Sequence, residues 1–164
     1  MKNPYKHLVA IISGVLVVIY SIRLYGWYSN KLWGKPLLWV LFVGYGWIVI
    51  GFGLIFLSLF FNISVFLPIH SFTYGGIGIM TIGFMSRVAL GHTGRNVFDP
   101  PKILFWIFSS LTAGAVVRVF FPIFDISHYI LWIGISQFLW IASFLIFAVV
   151  YIPMLLRPAV ETRS

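Results

Sequence analysis

Apolar positions in this chain come in long blocks, separated by short polar clusters, rather than at the spacing of a soluble amphipathic helix. A bilayer core takes about 20 apolar residues per helix. Five stretches approach or exceed that length: 7–22, 36–60, 69–90, 101–121 and 128–151. The stretch 36–86 carries no Lys, Arg, Asp or Glu and is too long for one span. Asn62, Ser64 and Pro68 mark the turn inside it, because proline opens helices more readily than it continues them. Pro100 and Pro101 open the fourth span, Pro122 closes it, and Pro153 and Pro158 end the fifth. Arg23-Leu24-Tyr25 follows the first span where a signal peptide would have small residues, so that span reads as a retained helix. The pattern predicts an all-α polytopic membrane helix bundle of about five transmembrane helices, one membrane domain over 1–164.

Composition closes off the soluble alternative. Of the 164 residues, 61% are hydrophobic and 9% charged, with a mean hydropathy of +1.03. A soluble domain has about a quarter of its residues charged. The eleven Lys and Arg outnumber the three acids, but they lie between apolar spans and so set topology rather than mark a nucleic-acid surface. Odd-numbered connections and the tail hold Arg23, Lys31, Lys35, Arg87, Arg95, Lys102, Arg157 and Arg163. The opposite side holds Lys2, Lys6 and Arg118. The positive-inside rule then places the C-terminus in the cytoplasm and the N-terminus outside. Cysteine is absent, which excludes disulfides and thiolate metal sites. No phosphate loop or Ser-His-Asp pattern occurs, and the spans hold no acid of the kind a proton-coupled pump uses.

Glycines recur at helical spacing: Gly44 and Gly51, Gly46 and Gly53, Gly76 and Gly83. Such stripes let helix backbones approach in lipid. The chemistry rests with the ionisable groups. On this topology His7, His70 and His128 lie at the outer ends of helices, near Arg118 and Asp125. Imidazole suits iron and copper, two histidines on facing helices can clamp a haem, and an arginine can pair with its carboxylates. His70, His128 and His7 are the candidate metal ligands, with Arg118 beside them. The plainer reading is that each sits in the head-group zone, Arg118 snorkelling to Asp125. On the cytoplasmic side His92 lies in Leu90-Gly91-His92-Thr93-Gly94-Arg95, with Arg87 one turn before. This basic, glycine-rich turn can seat a cofactor edge or an anion, or simply cap a helix.

His70-Ser71-Phe72-Thr73-Tyr74-Gly75-Gly76-Ile77-Gly78, then Met85-Ser86-Arg87-Val88-Ala89-Leu90-Gly91-His92-Thr93-Gly94-Arg95, resembles the signature of the NnrS family. Arg118-Val119 before Pro122, Tyr151 with Pro153, and Leu156-Arg157-Pro158 extend the likeness, as does Pro36-Leu37-Leu38-Trp39-Val40-Leu41 with Gly44-Tyr45. It is similar to the family's C-terminal portion. The family's N-terminal His-x-His-Glu-Met motif has no counterpart here, and Phe42 stands where members often have His. The resemblance implies a bacterial inner-membrane protein associated with haem and copper and with nitric oxide metabolism under nitrosative stress. It points to His70, Arg118, Arg87, His92 and Arg95 as cofactor-binding positions. Other membrane subunits, or a second NnrS-like half, would supply what is missing.

The expected function is therefore an NnrS-like membrane protein that carries or completes a haem b or metal site, copper included, for nitric oxide handling or electron transfer. The rival is a cofactor-free membrane anchor or assembly subunit. A two-haem quinone module is weakened by the single cytoplasmic His92, and a transporter by the lack of midplane charge.

Overall fold

The computed structural model describes residues 5–156. All the regular structure among them is helical: α1 (Lys6–Gly26), α2 (Pro36–Leu57), α3 (Phe66–His70), α4 (Ile79–His92), α5 (Ile103–Phe124) and α6 (Tyr129–Leu156). A short 3-10 turn, Asn30–Leu32, interrupts the first connection. α3 and α4 are not separate rods. A π-helical segment, Ser71–Gly78, joins them into one continuous helical run over 66–92. With this composite counted once, five helical rods cross the bundle. Four of them, α1, α2, α5 and α6, are each long and apolar enough alone to span a membrane.

A helical run lies at each expected stretch, with differences at the ends: α2 stops at Leu57 rather than 60, and α5 begins at Ile103 rather than 101. α1 is longer than 7–22 and takes in Lys6 and Arg23 at its ends. Pro122 does not close α5 and Pro153 does not close α6. Both lie in the last turns of helices that continue to Phe124 and Leu156. So near a terminus, the carbonyl that proline leaves without a donor is close to the uncapped end.

α2 is the central element. It carries α1 on one side and the composite helix on the other, and it also touches α5. α6 packs mainly on α5 and only lightly on α4. The glycine stripes divide accordingly. Gly44 receives the Met80 side chain and Gly51 the Phe72 ring, so that face of α2 meets the composite helix. Gly46 and Gly53 look toward Leu24 and Val17 of α1, with ordinary van der Waals room. From the other side, the Trp47 indole lies where a Cβ on Gly75 would stand, and the Ser71 hydroxyl donates to the Trp47 carbonyl oxygen at 2.7 Å. The buried core, including Val40, Ile82, Leu104, Phe108, Leu111 and Val119, sits between α2, α4 and α5. Large apolar residues such as Ile12, Ile19, Phe138 and Val149 cover the outer surface, as lipid requires.

Two expectations follow. Gly75→Ala should force Trp47 aside and cost about 1–3 kcal/mol, whereas Gly46→Ala should be nearly neutral. Thermal unfolding of the purified variants in detergent would show it, and equal melting temperatures would contradict the packing described. Because the chain has no cysteine, orientation can be read from single-cysteine variants. A membrane-impermeant maleimide should label Ser127→Cys in intact cells and Asn96→Cys only after permeabilisation; the opposite pattern would reverse the topology.

Candidate functional site

His70 is the last residue of α3, one step before the π segment, and Arg118 lies on the facing surface of α5. The Arg118 Nη2 approaches His70 Nε2 at 3.2 Å. A guanidinium can only donate, so His70 accepts through the Nε2 lone pair and carries its proton on Nδ1. The other two guanidinium nitrogens, Nε and Nη1, are buried and have no hydrogen-bond partner. No carboxylate pairs with Arg118, because the single ion pair among the described residues joins His128 to Asp125. A half-buried cation in an apolar span is therefore held by one neutral imidazole.

The pair opens on a cleft of about 490 Å³, lined by His70, Thr73, Tyr74, Arg118, Gln137, Trp140 and Ile141. The π segment shapes one wall. Tyr74 reaches across it, donating its hydroxyl hydrogen to the Ser136 carbonyl oxygen at 2.7 Å, and lies where a Cβ on Gly114 would collide. This ties the segment to α5 and α6 at once. The Trp140 ring stacks on Phe144 with centroids 4.2 Å apart.

The remaining sequence candidates lie elsewhere. His128 is exposed in the loop between α5 and α6, its Nδ1 2.8 Å from the Asp125 Oδ2 and its backbone N–H 3.3 Å from Oδ1. The His128 ring hydrogen bond, helped by the backbone N–H groups of His128 and Ser127, holds Asp125 below the usual carboxylate range. Asp125 thus serves the turn into α6, and Arg118 does not reach it as the snorkelling alternative supposed. His7 is exposed on the first turn of α1. Among the described residues, no three His, Cys, Asp or Glu side chains stand close enough to hold a metal ion.

At the opposite end, the Leu90–Arg95 motif terminates α4. Gly94 has φ 67°, the Arg95 N–H bonds the Leu90 carbonyl at 2.9 Å, and the Thr93 hydroxyl bonds the Ala89 carbonyl at 2.8 Å. This is a Schellman cap, which needs a residue in the left-handed region. The Arg95 Nη1 lies 3.4 Å from the Met154 carbonyl oxygen, joining the ends of α4 and α6. His92 is exposed, and Arg87 lines a separate small cavity with Lys35 and Phe98. Phe42 packs between Tyr28 and Trp33, at centroid distances of 6.0 and 6.1 Å.

Tyr74, Gln137 and Trp140 were not among the sequence candidates. Gln137 had a signal: it is the one amide side chain within the run 129–156. Tyr74 lay inside the His70–Gly78 motif without being singled out, and Trp140 had no signal, being one aromatic among many. The cap carries its own expectation. Gly94→Ala should cost about 1–2 kcal/mol and Gly94→Asn clearly less, since Asn tolerates the left-handed region. Equal losses of thermal stability would argue against this reading of the motif.

No curated protein and no solved structure matches the chain. A family model described as NnrS protein does match, over residues 4–159. With nearly its whole length covered by that model, the chain belongs to the NnrS family.

Proposed function

We propose that this NnrS-family membrane protein acts in nitric oxide handling through the His70–Arg118 cleft, where it carries or completes a haem b centre. Family membership links the chain to nitric oxide metabolism. The observation that carries the finer reading is the imidazole–guanidinium pair inside an apolar span, left without a counter-ion. Ionisable groups in such places are costly and are functional by default. An anchor subunit without a cofactor has no use for them.

The residues present fit a haem with a single histidine ligand. His70 would hold the iron through Nε2, and Arg118 would pair with a cofactor carboxylate in place of the imidazole. The cleft falls within the usual range of about 300–1,000 Å³ for small-molecule sites. Trp140 and Tyr74 supply aromatic walls. A haem held this way supplies an iron centre able to take a small gas. Copper fits less well, because His70 stands beside an arginine rather than other donors, and a second subunit would have to complete such a site. His128 is engaged by Asp125, so His70 is the proposed ligand, with His128 and His7 outside the centre. Arg95, His92 and Arg87 mark the proposed cytoplasmic end, a reading supported by the excess of Lys and Arg on that side.

The test is haem retention by the purified full chain, read from absorbance and iron content. His70→Ala should abolish it and Arg118→Gln should weaken it about tenfold, the loss of one charge-assisted contact. His128→Ala should leave it intact. Unchanged haem content in a folded His70→Ala sample would reject the assignment.

A further inference from the structure

The cleft does not end at Ile141. Trp140 and Ile141 also line a second hollow of about 530 Å³, which continues along α6 past Met85, Phe144 and Phe147 to Leu155. α6 leans on α5 and only lightly on α4, which leaves this seam open. The combined groove has two unlike ends. One holds Arg118, Tyr74 and Gln137, and the other is almost wholly apolar, with Tyr151 its one hydroxyl-bearing residue. From Ile141 to Leu155 it runs about 21 Å at about 1.5 Å per residue.

We propose that, in the protein without its cofactor, this groove binds one acidic phospholipid: the phosphate on Arg118, one acyl chain along α6. Charge complementarity selects the head. Among the described residues no acid pairs with Arg118; its Nη2 is held only by the neutral His70 ring, and a phosphate oxygen is a stronger, charge-assisted acceptor than an imidazole nitrogen. Arg118 stands six residues, or about 9 Å, from the end of α5, a depth that a long side chain spans toward the head-group layer. The apolar seam selects the tail. This inference does not rest on the haem reading. Where both hold, lipid phosphate and haem carboxylate compete for one guanidinium, so haem loading expels the lipid.

Native mass spectrometry of the haem-free full chain, loaded with dioleoyl phosphatidylglycerol or dioleoyl phosphatidylcholine, tests it. One phosphatidylglycerol should survive activation that strips the rest, with phosphatidylcholine retained about tenfold less. Arg118→Gln should lower phosphatidylglycerol retention about tenfold and Arg118→Lys less, because the charge remains. Ala148→Trp, which fills the apolar seam, should lower it with Arg118 untouched. Lys31→Gln, a cation in the α1–α2 connection, should change nothing. Equal retention of the two lipids would overturn the proposal. So would full retention by Arg118→Gln or Ala148→Trp, or a loss caused by Lys31→Gln. If Arg118→Gln fails to fold, the lipid comparison and Ala148→Trp still decide.

Discussion

The close contact between α2 and the Ser71–Gly78 segment is the constraint on which the site depends. Helices in lipid have no hydrophobic drive to associate, so packing and hydrogen bonds must hold them. Here both are concentrated on one seam. The Trp47 ring rests on Gly75, the Phe72 ring on Gly51, Met80 on Gly44, and the Ser71 hydroxyl reaches the Trp47 carbonyl. A Cβ at any of these glycines would collide with the side chain seated on it. The widened π turn lets Phe72 face α2 while Tyr74, two residues on, crosses to Ser136 on α6. His70 leaves the backbone just before that turn, so the same seam aims its imidazole at α5. Short π segments inside α-helices occur often at functional sites.

The spans were legible because bilayer thickness imposes length and apolarity with little room for exception. Their ends were less so. Pro122 and Pro153 were expected to stop helices, but a proline in a last turn leaves unbonded only a carbonyl that is already near the end. The glycine stripes were legible as contact surfaces, and Gly44 and Gly51 do face the composite helix. Their partner's π geometry was not legible: Gly75, Gly76 and Gly78 read equally well as an ordinary close-packing face. The Leu90–Arg95 motif is the reverse case. Its glycine, threonine and second arginine are accounted for by a helix cap and a tie to α6, which leaves Arg87 and exposed His92 as the parts that structure alone does not explain.

At the candidate site the sequence supplied the residue types and not the pairing. His70, His128, Arg118 and Asp125 all belong to one end of the bundle, and several pairings were open. Loop length decided among them. The connection between α5 and α6 is four residues, so Asp125 meets His128 locally and is consumed there. Among the described residues no other acid stands by Arg118, so the guanidinium is left to a neutral ring. Exposed ion pairs such as His128–Asp125 contribute little stability. The functional consequence of that turn is what it withholds from α5.

A cation left in that state has a definite chemistry. The imidazole accepts one hydrogen bond but offers no negative charge, and the two remaining guanidinium nitrogens stay unpaired. Any oxyanion that reaches the cleft is a better partner than His70, and its arrival frees the Nε2 lone pair. The masking of His70 and the recruitment of an anion are then one event seen from two residues. The cleft is lined on α6 by Trp140 and Ile141, mid-helix positions on a surface that lipid would cover. Molecules that dissolve in a bilayer can therefore approach it from the side. A gas such as nitric oxide, a haem and an acidic lipid all suit that route, and the last two carry the charge that Arg118 lacks a partner for. A guanidinium so placed, beside an apolar seam, selects by the apolar body attached to the anion as much as by the anion itself.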